Sequence, residues 1–496
     1  MNLTEIFSKY NKFIILNGVC LALLSFIDKA LAVGALFVVF LSSITLFFIN
    51  KSKEKDTIKF LSTLFLIVFL IHAVAVALIF YTNFQPFSEG RGDFNEYHSV
   101  ARQISERVAV GNFSLKEFSE FPNLVNYYPV IVGYVYIMTI PSMLMGQLLN
   151  AWIVALVAIF AYLIVKEIGR SEKEGFIVGL IVGFYPSLFF YGSLLLKDAL
   201  VILLSTIGLL IMLKILKKFS WLTFLIFYIT LIGLTHFRFY ISYAIILSFI
   251  ICWFILSDLK IKKRVVYGII MIILFGFLPR FAALDGKTQG YMGILALRNF
   301  LSPQTITGYR DLAYNPKDKI KQPAPEDKIK QPAPKDKVKQ PAPTEDEVLQ
   351  KVQPFGYYSP IAQDSSISID TGFDSPVSFF KNSSLSFIYI LLGPFPWQLT
   401  KSKHLFVLPE IIPWYFLLFF IVKGIVKHIK KDYKVILPLI IFCLVILGLL
   451  SLYINNFGII TRIRIPAFLA LLCLLPFGFE RFKNVKMLFF ERHFKT

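Results

Sequence analysis

The feature that most constrains this chain is its series of long, almost uncharged apolar blocks, since a helix needs about 20 such residues to cross a hydrocarbon core of about 30 Å. Blocks of this kind recur near 11–27, 30–50, 60–81, 149–167, 175–193, 199–216, 220–236, 239–257, 265–281, 407–426, 435–454 and 463–480. In lipid, each backbone N–H and C=O needs a partner within its own segment, which selects helices. The blocks also lack the apolar/polar alternation of an outer-membrane barrel strand. Composition agrees, with 56% hydrophobic and only 17% charged residues. The expected fold class is all-α, a polytopic integral membrane protein of about 12 transmembrane helices with juxtamembrane helices on its outer face. The first block follows a mildly basic start and has no small-residue cleavage site, so it is expected to be retained as a span.

The formal charge of +20 is not spread evenly. Basic clusters mark alternate loops: Lys51/Lys53/Lys55/Lys59, Lys166/Arg170/Lys173, Lys214/Lys217/Lys218, Lys260/Lys262/Lys263/Arg264, Lys427/Lys430/Lys431 and Arg481/Lys483/Lys486. Positive charge in alternate loops reports membrane orientation rather than a nucleic-acid partner. It predicts a multi-pass protein of the cell membrane with both termini cytoplasmic. The four cysteines, Cys20, Cys252, Cys443 and Cys473, lie inside apolar blocks without metal-ligand spacing and are expected as buried small hydrophobes.

Two further apolar stretches, 128–146 and 384–399, break the alternation if each is a full span, and both carry helix breakers (Pro129 and Pro141; Gly393-Pro394-Phe395-Pro396). They are expected as interfacial or re-entrant helices on the outer face. The chain then divides into a two-span N-terminal segment (1–59), a transmembrane core (60–281) with a first outer loop at 83–127, a large extracytoplasmic loop (282–405), and a C-terminal transmembrane segment with a cytoplasmic tail (406–496). The large loop holds three nine-residue units over 317–343, each ending KQPAP. That density of Pro and Lys buries no core, so the repeat is expected as an extended, solvated spacer.

Charged residues at the outer ends of apolar blocks are costly to place there and are the functional candidates. Asp93, Glu96 and Tyr97 share a helical face just beyond the third block. Two carboxylates and a phenol there suit metal binding or proton abstraction, and suit equally a helix N-terminus capped by Asp93. Lys197 and Asp198 stand at a boundary between blocks, as a charge pair marking the membrane surface or as a donor and an acid facing a shared cavity. His236 and Arg238 fall in a turn too short for a loop, where an outer Arg needs a partner such as phosphate or else snorkels within an aromatic belt. Arg462 and Arg464 alternate with Ile before Pro466, which predicts an extended lead into the last span. Their guanidinium forks match phosphate oxygens bidentately.

These elements, in this order, resemble the C-type (GT-C) polyprenyl-phosphate-dependent membrane glycosyltransferases, the group of bacterial dolichyl/undecaprenyl-phosphate mannosyltransferases and aminoarabinose transferases. Gly92-Asp93-Phe94-Asn95-Glu96-Tyr97 resembles the Gly-Asp-x-x-x-Tyr motif of their first external loop. Tyr127-Tyr128-Pro129 is similar to their Tyr-Pro-Pro, Leu148-Leu149-Asn150 to Arg-Leu-Leu-Asn, and Tyr185-Pro186 through Tyr191-Gly192-Ser193 to Ser-Pro…Phe-Tyr-Ser. Arg462-Ile463-Arg464-Ile465-Pro466 resembles their Arg-Tyr-Arg-x-Pro, while Leu196-Lys197-Asp198 stands where many members have Thr-Glu-Pro. The match covers most of 60–260 and 455–470, and the KQPAP loop has no counterpart.

The resemblance implies transfer of a sugar from a lipid phosphate or diphosphate to a glycan, lipid or protein acceptor at the outer membrane face. Asp93 is then the base toward the acceptor, with Glu96 and Asp198 as further catalytic acids. Arg462, Arg464, Arg238 and Lys197 stabilise the departing phosphate, and Tyr97 and His236 bind substrate. Asp93 and Glu96 do not form an Asp-x-Asp pair, so neither a cofactor nor a resident metal is expected. Two other readings remain open on sequence: an oligosaccharide polymerase or ligase of the O-antigen type, and a transporter or lipid flippase.

Overall fold

The computed structural model describes residues 25–52, 54–84, 93–112, 127–280, 290–291, 376–395, 397, 408–453 and 457–479. Arg91, Gly92, Cys20, most of the first expected span and the KQPAP repeat lie outside these residues. The described chain is helical: α1 (Lys29–Ile49), α2 (Lys55–Thr82), α3 (Asp93–Ala109), α4 (Tyr128–Met138), α5 (Met143–Glu167), α6 (Glu172–Gly183), α7 (Pro186–Gly192), α8 (Asp198–Lys217), α9 (Trp221–Leu256), α10 (Ile261–Gly276), α11 (Pro376–Leu392), α12 (Leu408–Tyr453), α13 (Phe457–Ile463) and α14 (Ile465–Leu472). A two-residue antiparallel pairing of Pro279–Arg280 with Gly290–Tyr291 is the exception.

Six helices, α1, α2, α5, α8, α9 and α12, are long and apolar enough to cross a membrane, and the bent pair α6–α7 makes a seventh if it is one span. The protein is a helical membrane protein. Two of the six are folded back on themselves. In α9 the backbone leaves the helical region at Arg238 (φ −152°, ψ 84°). Phe227 and Phe249 would stand about 33 Å apart in a straight helix, yet their ring centroids are 5.2 Å apart. Thr235 Oγ1 donates to Ser242 Oγ at 2.9 Å, and Ser242 reaches the Leu231 carbonyl, closing the turn. The two arms correspond to the expected blocks 220–236 and 239–257. In α12 the break is at Asp432 (φ −109°, ψ 23°). Neighbouring residues Ala467 and Phe468 touch both of its arms, Ala467 through Cys443 Sγ at 3.2 Å and Phe468 through the Trp414 ring at 3.8 Å.

Other expectations need correction. The block 175–193 is not one straight helix; it bends by 59° between α6 and α7, where Pro186 withholds an N–H and sets a new helix start. Residues 465–477 form a short helix and a 3₁₀ turn rather than a full-length span over 463–480. The stretch 128–146 is divided at 139–142, so that α4 is short and α5 begins at Met143, earlier than the expected 149.

Burial places α5 and α8 at the centre, with 78% of their apolar windows inside the protein against 33% for α1 and α2. Phe40, Phe47 and Phe48 on α1 and Val266, Ile269 and Ile273 on α10 are exposed, as lipid-facing side chains are. Close approach of α6 to α2 rests on small residues, because a Cβ on Gly179 would meet Leu64 at 2.5 Å and one on Gly183 would meet Val68 at 2.8 Å.

Candidate active site

Four chain segments far apart in sequence converge through charge. Asp198 opens α8, where the unpaired N–H groups of the first turn favour a carboxylate. Both of its oxygens are engaged. Oδ1 accepts from Arg238 Nη2 at 2.5 Å, and Oδ2 accepts from Arg462 Nε. Arg238 is free to reach it because it occupies the break in α9, and it also donates to Tyr240 Oη at 2.6 Å. Its Nε, buried, has no hydrogen-bond partner among the described residues.

Arg462 continues outward from Asp198 to Asp93, the first residue of α3, with Nη1 and Nη2 at 3.3 and 3.4 Å from Asp93 Oδ2. Those are long contacts beside the usual 2.7–2.9 Å of charge-assisted bonds. Exposure follows the same gradient: the Asp198 side chain is 4% exposed, Arg462 19% and Asp93 46%. The cluster therefore has a sealed base and an open lip, with Asp93 at the lip. Glu96, one turn further along α3, is exposed, and its carboxyl is raised by partial burial and then by the charge of Asp93. Tyr97 is buried and packs edge-on against Tyr128 at 5.6 Å.

Lys197 precedes Asp198 and caps α8. Burial, followed by the nearby positive charge of Arg238, lowers its ammonium to about 7. The loop that carries it is fixed by Asn150 of α5, which is fully buried. Asn150 Nδ2 donates to the carbonyls of Leu194 and Leu196 at 2.7 and 2.8 Å, and its Oδ1 accepts from Tyr128 Oη at 2.9 Å. A further tie, between Tyr191 Oη and Thr461 Oγ1 at 3.3 Å, holds α7 against α13 one residue before Arg462.

Arg464 is not part of this cluster. The expected extended lead is helical over Phe457–Ile463 and breaks at Arg464. At 100° per residue, side chains two apart on such a backbone leave in nearly opposite directions. Arg464 turns to Glu410 Oε1 at 2.7 Å and to the carbonyls of Ile390 and Gly393 at 3.0 and 2.5 Å. Glu410 in turn accepts from Tyr185 Oη at 3.0 Å and from Ser187 Oγ. His236 is also turned away: its Nδ1 lies 2.7 Å from the Ile232 carbonyl and its ring packs on Tyr127. Neither Asn150 nor Glu410 is among the residues that the sequence singles out as functional. The available signal is that Glu410 is the one acid in the block 407–426, whose only other charge is Lys423.

Among the described residues, no three His, Cys, Asp or Glu side chains come together to hold a metal ion. What the cluster offers is a solvent-reached carboxylate, Asp93, beside the guanidiniums of Arg462 and Arg238 and the amine of Lys197. Such a cluster is chemically suited to hold an anion at its cationic side and to accept a proton at its acidic lip. Comparison with protein-family models and with curated proteins finds no match to this chain.

Proposed function

We propose that this protein is a membrane glycosyltransferase of the GT-C kind. It moves a sugar from a polyprenyl-phosphate or diphosphate donor to an acceptor at the extracytoplasmic face, in a multi-pass chain with both termini cytoplasmic. The observation that supports this reading best is Arg462 bridging the sealed Asp198 and the open Asp93. Its outer contacts are long enough to be exchanged for phosphate oxygens without disturbing its anchor. With both oxygens engaged, Asp198 holds the two guanidiniums in place and leaves proton transfer to Asp93.

In this reading the acceptor hydroxyl lies against Asp93, which takes its proton as the oxygen attacks the anomeric carbon. The bond from that carbon to the phosphate oxygen breaks, and the electron pair leaves with the phosphate. Arg462, with Arg238 and Lys197 behind it, stabilises the charge developing there. Displacement in one step inverts the anomeric centre.

The test is transfer from labelled polyprenyl-linked sugars by purified protein in lipid, wild type against Asp93→Asn. Loss of a general base lowers the rate by about 10²–10⁴-fold, with donor retention and melting unchanged. Equal rates would remove Asp93 from the chemistry and favour the polymerase reading. No transfer from any donor by folded protein would favour a transporter.

A further inference from the structure

A second site lies at the far end of α12's first arm from Glu410. A cavity of about 400 Å³ is lined by Phe416, Phe420, Lys423, Lys427, Phe477 and Phe479. Its floor is a backbone contact that only glycine permits, since a Cβ on Gly478 would meet the Phe420 carbonyl oxygen at 1.8 Å and one on Gly424 would meet Gly478 N at 2.3 Å. The four α12 residues follow spacings of four, three and four, so they form one stripe on the helix. Phe416 to Lys427 covers about 16 Å along the axis, close to the roughly 15 Å depth of one leaflet's hydrocarbon. The stripe thus carries aromatic rings toward one end and ammoniums toward the other over about the depth of one leaflet. Arg170 adds a third cation behind the wall, stacked 4.1 Å from the Phe477 ring and donating to the Pro476 carbonyl at 2.9 Å. Among the described residues, Glu172 pairs with Lys166 and Glu167 with Lys217.

We infer that this groove binds an anionic glycerophospholipid of the leaflet that faces the basic loops, its phosphate on Lys423 and Lys427 and one acyl chain along Phe416, Phe420 and Phe479. The groove is apolar where the chain lies and cationic where the headgroup lies. A helix face opening onto lipid is occupied by lipid in any case, so the cations set which lipid it holds. The site is independent of the transfer chemistry and stands whether or not that reading does.

Native mass spectrometry of the full-length protein, released from detergent in the presence of equal phosphatidylglycerol and phosphatidylcholine, reads this directly. Wild type retains phosphatidylglycerol preferentially. A surface lysine contributes about 1 kcal/mol toward an anionic lipid, equivalent to about five-fold, so Lys423→Gln/Lys427→Gln lowers the preference by more than ten-fold. The control Lys430→Gln/Lys431→Gln removes the same charge from the next turns of the helix, outside the groove, and lowers the preference less than the groove variant does. Equal retention of the two lipids by wild type, or an equal loss in both double variants, would overturn the site.

Discussion

Arg462 and Arg464 are two residues apart, carry the same side chain and each meet a carboxylate, yet their surroundings are opposite. Arg464 is 1% exposed, and its two terminal nitrogens are taken up by Glu410 and two carbonyls. Its guanidinium also stacks over the Phe468 ring at 4.6 Å. It ties α14 to α12 and to the end of α11. Arg462 holds one acid firmly and the other loosely, next to an acid that solvent reaches. The Nε of Arg464, like that of Arg238, is buried without a hydrogen-bond partner among the described residues, yet a buried charge pair resists exchange, because each partner left alone bears its full desolvation penalty. A half-open pair with long contacts can trade one of them for a ligand. The difference separates an arginine that holds the fold from one suited to act on a substrate.

The sharpest way to break this contrast is at Glu410. Glu410→Gln leaves Arg464 charged and buried without its counter-ion, which costs about 3–5 kcal/mol. It should appear as a large fall in melting temperature in detergent, with transfer by the surviving folded protein unchanged. Pairing it with Arg464→Met should restore much of the loss; no restoration would mean that Arg464 does more than balance Glu410.

Asn150→Ala comes next. It strips the Leu194 and Leu196 carbonyls and the Tyr128 hydroxyl of their buried partner, a penalty of about 1–3 kcal/mol for such groups. Because the freed loop carries Lys197, donor affinity should weaken as well as stability. A stability loss with donor affinity intact would detach Asn150 from the site.

A smaller effect concerns pH. Lys197 is held near 7, well below the ordinary lysine value, so between pH 7 and about 10.4 the unfolded chain binds more protons than the folded one. Stability from this group therefore rises with pH across that window. Donor binding runs the other way, since the phosphate needs the ammonium: affinity should fall as pH rises through 7, and Lys197→Met should flatten that slope. An unchanged slope in the variant would place the titration elsewhere. The smallest effect belongs to the exposed pair Lys434–Asp258, 2.6 Å apart but solvated on both sides. Lys434→Ala should leave melting and transfer indistinguishable from wild type.

Much of this was legible in the sequence, for a physical reason. Charges are expensive at the ends of apolar blocks, so Asp93, Asp198, Arg238 and Arg462 stood out before any coordinates. The break at Arg238 was legible too, because two apolar blocks met there with no room for a loop. Arg464 was not separable from Arg462, since nothing local distinguishes two arginines alternating with isoleucine, and a period of two argued for extended backbone that the chain does not adopt. What divides them is Glu410, more than fifty residues away, inside a block whose apolar character hid one acid. The bend at Pro186 and the shortness of 465–477 were likewise invisible to hydropathy, which measures how apolar a stretch is and not whether its axis is straight.

The central claim is that Arg462 acts on substrate while Arg464 holds the fold, and the direct measurement is melting temperature and sugar transfer for Arg462→Gln and Arg464→Gln side by side. Arg462→Gln leaves the sealed Asp198 with Arg238 as its counter-ion and should lose transfer with only a moderate fall in melting temperature, while Arg464→Gln leaves Glu410 without its arginine and should melt far lower. Arg462→Gln with full transfer, or two variants that lose stability equally, would contradict it.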